Sequence, residues 1–103
     1  MEENLYLDQA EMLKALAHPT RLQILDQLRD GEKCVCKITP ELRMEQSNVS
    51  RHLNVLKKEG LVVSRKEGLK VFYKVSDPKI FDILEASKEL LKKYWDKKRK
   101  IMV

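Results

Sequence analysis

Along most of the chain, apolar residues recur at intervals of three and four, which is the spacing of one face of an α-helix. This pattern predicts a first helix over residues 7–17. It also predicts a second helix that starts at Pro19 and ends at Gly31, because proline fits the first turn of a helix and glycine favours its end. A short apolar segment at residues 38–44 follows. The chain has only three glycines and three prolines, which agrees with long helices and few turns.

The middle of the chain predicts a helix that begins shortly after that apolar segment. In residues 46–58, Val49, Leu53 and Leu56 lie on one side of the helix, and Gly60 supplies the stop. A polar break separates the two pieces. Two helices a few residues apart, the second polar on one face, are the pattern of a helix-turn-helix.

After residue 60 the pattern changes to that of β-strands. Two runs rich in β-branched and aromatic residues, 61–66 and 70–75, lie on either side of Gly68 and predict a hairpin. The basic residues near its turn could contact DNA phosphates; they are Arg65, Lys66 and Lys70. For any single lysine there is an equally good alternative, since lysines also keep edge strands from pairing with other chains.

A last helix is predicted after the hairpin. Asp77 suits its N-cap and Pro78 its first position, and apolar residues then recur at helical spacing toward Lys98. The predicted fold is therefore mainly α with a β-hairpin wing, in the order α-α-α-α-β-β-α. With no repeat, linker or low-complexity tract, residues 1–103 are expected to form one domain.

The predicted helix at residues 46–58 has the strongest functional signal. With its apolar residues turned inward, the opposite face is almost free of acidic residues; it carries Ser47, Arg51, Asn54 and Lys58, flanked by Asn48, Ser50 and Val55. Such polar and basic side chains donate to and accept from base edges in the major groove of DNA. A solvated helix face has a similar composition, and the hairpin and the net charge favour DNA.

The overall charge narrows the class of partner. The formal net charge is +5, which favours a polyanion, either nucleic acid or an anionic membrane surface. No apolar run reaches the roughly 18 to 20 residues of a membrane span, and the first residues are acidic, unlike a signal peptide. We therefore expect a cytoplasmic protein without a membrane partner, whose two cysteines, Cys34 and Cys36, are free thiols.

Three segments together resemble the ArsR/SmtB family of winged-helix repressors: residues 14–25, the Cys34-Val35-Cys36 pair and residues 46–56. The resemblance implies a homodimer that binds operator DNA and releases it when a metal, metalloid or oxidant occupies a sensor site. It implies that the first and last helices form the dimer interface and that the hairpin is the wing. By this resemblance the DNA-reading positions are Gln46, Ser47, Asn48, Ser50 and Arg51.

The cysteine pair is the expected sensor, although it departs from the family's patterns. The arsenite pattern adds a third cysteine where this chain has Thr39, and the last helix lacks the histidines of the zinc sensors. Cys34 and Cys36 are expected to bind a thiophilic inducer such as arsenite, antimonite or a soft divalent metal, with no resident cofactor required. Neighbouring Lys33 and Lys37 favour the thiolate, which also suits an oxidant sensor. Two packed structural cysteines are the third alternative.

The remaining chemistry-bearing residues have structural interpretations. His18 is expected to cap a helix or to pack as a ring, and His52 lies at the margin of the core-facing stripe. A small redox enzyme or metal carrier could use Cys34 and Cys36, but the sequence has no acid-base constellation or phosphate-binding loop to support one. A winged helix that binds protein or RNA is a further alternative. The sequence predicts a DNA-binding repressor that is not an enzyme.

Overall fold

The computed structural model describes the backbone of residues 2–102 and the side chains of residues 4–99. This part of the chain forms five α-helices, three strands and a short 3-10 helix. The helices are α1 (Glu2–Leu16), α2 (Pro19–Gln27), α3 (Val35–Leu42), α4 (Gln46–Lys58) and α5 (Lys79–Met102). The strands are β1 (Lys33–Cys34), β2 (Val62–Glu67) and β3 (Lys70–Val75), and the 3-10 helix is Leu28–Asp30.

The mainly helical fold with a β-hairpin wing is the predicted one, but several bounds differ. The predicted second helix is α-helical only to Gln27 and continues as the 3-10 helix, and α3 begins at Val35, ahead of the apolar segment predicted at residues 38–44. Helix α1 begins at Glu2, ahead of the predicted residue 7. Residues 4–14 are all exposed, so no core-facing stripe marks where the helix starts. Strand β1 was not predicted, because two residues are too few to display the alternation of a strand.

The junction between α1 and α2 is built by His18, as a cap. Its Nδ1 accepts a hydrogen bond of 3.1 Å from the main-chain N–H of Thr20, and Pro19 follows at the first helical position. Proline has no N–H to satisfy there, so the two residues together start α2 efficiently. The prediction that His18 has a structural role is confirmed.

One hydrophobic core joins α2, α3, α4, the sheet and the start of α5. Its fully buried side chains come from α2, the 3-10 helix, α3, α4 and β2 and are Ile24, Leu25, Leu28, Ile38, Leu53, Leu56, Val49 and Val62. Ile80 and Leu84 bring the first turns of α5 into the same core, and Ala15 and Leu16 add the end of α1. The rest of α1 and α5 extends beyond the core.

The sheet has the order β1-β3-β2 and is antiparallel throughout. The hairpin pairs Val62 with Val75 at its base and Glu67 with Lys70 next to the turn. Strand β1 adds to the other side of β3, where Lys33 faces Tyr73 and Cys34 faces Phe72. The middle of the wing, at residues 64–65 and 72–73, is therefore three strands wide, and Cys34 belongs to this part of the sheet.

The two long helices leave apolar side chains exposed. On α1 these are Leu5, Tyr6, Leu7, Met12 and Leu13, and on α5 they are Leu90, Leu91, Tyr94 and Trp95. The radius of gyration is 16.0 Å, whereas a compact domain of this length has about 13 Å. Within residues 2–102, no helix is both long enough and apolar enough to cross a membrane.

Candidate DNA-binding surface

Helices α3 and α4 form a helix-turn-helix with a turn of three residues. Arg43 ends α3 in the left-handed conformation, with φ of 53°, and its N–H donates to the carbonyl of Pro40 over 3.2 Å. Helix α4 starts at Gln46 and turns Val49, Leu53 and Leu56 into the core, as the spacing predicted. This packing fixes which face of α4 points to solvent.

The outward face of α4 carries the residues that the sequence analysis assigned to DNA. Four of them are exposed, namely Gln46, Ser47, Arg51 and Asn54, whereas Asn48 and Ser50 are half-buried at the margins. Val55, predicted to flank this face, packs against the core instead. Among the described side chains, none of these six polar residues forms a hydrogen bond or ion pair with another side chain, so their donors and acceptors are available to a ligand.

The electrostatics of α4 suit a polyanion. The helix contains no acidic residue, and Arg51, Lys57 and Lys58 are all exposed. Glu45, which precedes the helix, makes no side-chain hydrogen bond to the first turn. The main-chain N–H groups of Gln46 and Ser47 therefore add their partial positive charge to this end of the surface.

Two of the three predicted wing residues are placed as expected. Lys66 and Lys70 are exposed on either side of the turn formed by Gly68 and Leu69. Gly68 has φ of 62°, a conformation that residues with a side chain rarely adopt, and a glycine at the first turn position is the pattern of a type II′ hairpin. Lys66 and Lys70 therefore lie beside the turn on opposite faces of the ribbon, because Lys66 pairs with Val71 and Lys70 with Glu67.

Arg65 is not a free cation on the wing. Its guanidinium donates to Glu32 at 2.7 to 3.0 Å and to Glu67 at 2.9 Å, and it lies 4.5 Å from the ring centroid of Phe72. The hydrogen bond to Arg65 lowers the pKa of Glu32 and the same contact raises the pKa of Arg65. Because two carboxylates already neutralise its charge, Arg65 joins the wing to the segment before β1.

The two cysteines are paired, which corrects the expectation of free thiols. The sulfur atoms of Cys34 and Cys36 are bonded to each other, with Cα atoms 5.1 Å apart. Cys34 is the N-cap of α3 in extended conformation, and its Sγ accepts from the N–H of Cys36 at 3.1 Å. An extended residue at this position turns its side chain toward that of the residue two positions on, which a regular helix would prevent.

A complete thiophilic metal site does not fit around this pair in one chain. Within the residues that the structure describes, no group of three or more histidine, cysteine, aspartate or glutamate side chains could hold a metal ion. The hydroxyl of Thr39, which stands in place of the family's third cysteine, donates to the carbonyl of Val35 at 2.8 Å. Two sulfurs alone leave arsenite or a soft divalent ion without its remaining ligand.

Two parts of this surface were missed by sequence reasoning. Glu32 fixes Arg65 across 33 positions of sequence, and β1 extends the wing. The opposite charges of Glu32 and Arg65 were the signal in the sequence that pointed to this ion pair. It could not be used, because only the pairing of β1 with β3 brings the two side chains together.

The helix pair and the hairpin that follows it define a winged helix-turn-helix, a class of DNA-binding domain. The sequence pattern of bacterial regulatory proteins of the arsR family matches residues 18–64. A relative from Methanocaldococcus jannaschii, an uncharacterized HTH-type transcriptional regulator, is 46% identical over 86 residues, which are 82% of this chain and 97% of that protein. The chain belongs to the ArsR family of transcriptional regulators.

Two solved structures are similar to most of the chain. A homodimeric winged helix-turn-helix DNA-binding domain from Mycobacterium bovis has a TM-score of 0.82 and 30% identity, covering 92% of this chain and 88% of that one. HlyU from Vibrio cholerae has a TM-score of 0.75 and 39% identity, covering 87% and 97% of the two chains.

Proposed function

We propose that the protein is a sequence-specific transcriptional repressor that binds operator DNA as a homodimer. The observation that carries the proposal is the outward face of α4, which is polar, free of acidic residues and not engaged by other side chains. In this mechanism α4 enters the major groove, where Asn48 and Arg51 read base edges, and Lys66 and Lys70 contact phosphates. Repression is the role that the resemblance to the ArsR/SmtB family implies, and the dimer would repress by occupying the operator.

The homodimer is supported by the apolar faces of α1 and α5. Between α2 and α5 an open groove of about 800 Å³ is lined by apolar side chains that include Leu22, Leu84, Leu91 and Tyr94. Arg29 holds the two helices together, because it bonds to Asp26 and Glu85 and lies 5.0 Å from the ring centroid of Phe81. A second copy would cover these surfaces and place two recognition helices about 34 Å apart, one turn of DNA.

The contacts to DNA can be tested with substitutions on α4 and on the wing. We expect Arg51→Ala and Asn48→Ala to weaken operator binding by about 1 to 3 kcal/mol each and to change binding to random DNA much less. Lys66→Ala should weaken both and reduce the slope of log K against log salt by about 1. The measurement is fluorescence anisotropy with a duplex that the wild-type protein selects from a random pool, compared with a random duplex.

The control for Arg51 is Arg51→Lys, which keeps the charge but loses the planar fork that binds guanine. It should resemble Arg51→Ala on the selected duplex and wild type on random DNA. If Arg51→Ala loses equal affinity on both duplexes, Arg51 contacts phosphate and not base. If the wild-type protein selects no sequence from the pool, the proposed function is wrong.

We further propose that Cys34 and Cys36 regulate DNA binding as a dithiol–disulfide pair, the oxidant alternative of the sequence analysis. The placement of the two sulfurs within bonding reach and the lack of a third ligand favour this chemistry over metal coordination. With hydrogen peroxide as oxidant, one thiol ionises and its thiolate attacks a peroxide oxygen. The O–O bond breaks to give a sulfenic acid and hydroxide, which takes up the released proton to form water. The second thiol then displaces hydroxide as a second water, so two thiols and one hydrogen peroxide yield one disulfide and two waters.

The position of the pair links it to both DNA-binding elements. Cys36 lies in the first turn of α3, the helix that precedes the recognition helix. Cys34 pairs with Phe72 of the wing, and Phe72 in turn lies under the guanidinium of Arg65. A change in the covalent state of the sulfurs would therefore act directly on the start of the helix-turn-helix and on the middle of the wing.

Replacing both Cys34 and Cys36 with serine tests whether the cysteines regulate DNA binding, because it removes the two thiols and leaves the residues of α4 unchanged. In the wild-type protein we expect peroxide to weaken binding to the selected duplex by about 5- to 150-fold, the usual range of allosteric coupling, and a dithiol reductant to restore it. The double variant should bind as the reduced protein does and ignore peroxide. Serine keeps an oxygen that can still cap α3, so the fold should persist.

The same assay distinguishes the alternatives for the cysteine pair. Release by arsenite, antimonite or cadmium at concentrations where peroxide has no effect would support the metal-type inducer and contradict the oxidant mechanism. Release of the double variant by peroxide would reject the cysteines as the sensor. A double variant that does not fold would favour packed structural cysteines.

A further inference from the structure

Arg21 joins three helices around the inner side of the recognition helix. It lies on α2, and its Nε donates to the carbonyl of Ala15 at 2.5 Å while its Nη2 donates to the carbonyl of Lys14 at 3.3 Å. Its Nη1 lies 3.3 Å from Nδ1 of His52, on α4. One guanidinium therefore binds the end of α1 and the middle of α4 together.

The hydrogen bonds determine which nitrogen of His52 carries its proton. A guanidinium has donors and no acceptor, so Nδ1 of His52 must accept and the ring must be neutral, with its proton on Nε2. The ring of His18 lies 4.5 Å from that of His52, and its own Nδ1 accepts from the N–H of Thr20. The link needs a neutral His52, because a protonated ring has no acceptor.

The surroundings oppose a positive charge on His52. Burial lowers its pKa from the ordinary value of 6.5, and His18, Arg21 and Arg51 lower it further. These groups come from the junction before α2, from α2 and from α4 itself, and α1 contributes main-chain carbonyls that bind Arg21. The His52 ring binds a proton more tightly in the unfolded chain than in the folded chain. The free energy of unfolding therefore falls as the pH drops from the ordinary pKa of 6.5 toward the lowered one.

We propose that Arg21 is a positioning residue for DNA recognition, which holds α4 at a fixed orientation to α1 through its hydrogen bond to neutral His52. The inference rests on the proposed function. In the dimer, α1 belongs to the interface and α4 to the DNA surface, so this link sets the spacing and angle of the two recognition helices. Operator binding should therefore weaken when His52 is protonated, although protonation adds a positive charge.

The experiment compares His52→Asn with His52→Leu in the full-length protein. Asparagine places Oδ1 close to the position of Nδ1, so it still accepts from Arg21 but does not titrate near neutral pH. Leucine keeps the volume and accepts nothing. Affinities for the selected duplex and for random DNA are measured from about pH 8 to about pH 5, the range in which histidines change charge, and urea unfolding at each pH establishes that each variant is folded.

For the wild-type protein we expect about tenfold weaker binding to the selected duplex at the acidic end, the size expected when one hydrogen bond to a charged group is lost. Binding to random DNA should stay constant or strengthen. His52→Asn should bind like wild type at neutral pH and show a flat profile, and His52→Leu should bind weakly throughout. Arg21→Lys keeps the positive charge but loses the planar guanidinium, so it should also bind weakly. It replaces His52→Leu as the test of this link if that variant does not fold.

Several results would overturn the inference. One is a pH profile of His52→Asn equal to that of wild type, and another is equal loss in the asparagine and leucine variants at neutral pH. A pH profile of binding that disappears in His18→Asn and persists in His52→Asn would show that the pH dependence does not come from His52, which contradicts the inference. Failure of the wild-type protein to select any duplex would instead reject the proposed function, so the two failures are distinguishable.

Discussion

Replacing Leu91 with glutamate should leave the protein monomeric at micromolar concentration and lower its operator affinity by about 10³-fold or more, toward the affinity for random DNA. Leu91 lines the groove between α2 and α5 and is 44% exposed in the single chain. In a homodimer that covers this groove, the new carboxylate would be buried without a partner, which is costly. Sedimentation velocity measures the oligomeric state and anisotropy measures the two affinities.

Lys93→Gln is the matched control for this substitution. It changes the net charge by the same amount on an exposed residue of α5 that does not line the groove. It should remain dimeric and retain most of its affinity. A Leu91→Glu variant that sediments as a dimer would contradict the interface, and a monomer with wild-type operator affinity would show that two copies are not needed.

Replacing Leu53 with alanine should lower the free energy of unfolding by about 2 to 5 kcal/mol, because the side chain is fully buried and the substitution leaves a cavity. Proteins of this kind have only about 5 to 15 kcal/mol of stability, so the loss should be evident as a lower urea midpoint. Unfolding should be measured at fixed protein concentration, since association of two chains also contributes to stability.

For the neighbouring residue, Asn54, we expect almost no change in stability. Asn54 is exposed on the outward face of α4, and Asn54→Ala should change the unfolding free energy by no more than about 0.5 kcal/mol. Its effect should be on operator binding instead. If Asn54→Ala destabilised the protein as much as Leu53→Ala does, the assignment of the inward and outward faces of α4 would be wrong.

The bounds of α4 and the position of the hairpin could be predicted because each depends on residues close in sequence. Val49, Leu53 and Leu56 define one face of a helix, and Gly68 marks a turn between two β-rich runs. The start of α1 could not be predicted. The first turns of that helix pack on no core in the single chain, so burial does not determine which turn is the first.

The outward face of α4 was also predictable, since it follows from the inward one. The state of Arg65 was not, because Glu32 reaches it only through the pairing of β1 with β3. The contact between Arg21 and His52 joins helices 31 positions apart and has no local pattern. The pairing of Cys34 with Cys36 depends on whether one residue is extended or helical, which the boundary of α3 decides.

The uneven width of the sheet has a mechanical consequence for the wing. Strand β1 pairs only with Phe72 and Tyr73 of β3, so beyond these residues the wing is a ribbon of two strands. A short two-stranded ribbon twists and bends more easily than a three-stranded sheet. The tip that carries Lys66 and Lys70 is therefore more compliant than the three-stranded middle of the wing. In the proposed complex with DNA, this tip could follow minor grooves of different width, and sequence preference beneath the wing would then depend on how easily the DNA deforms.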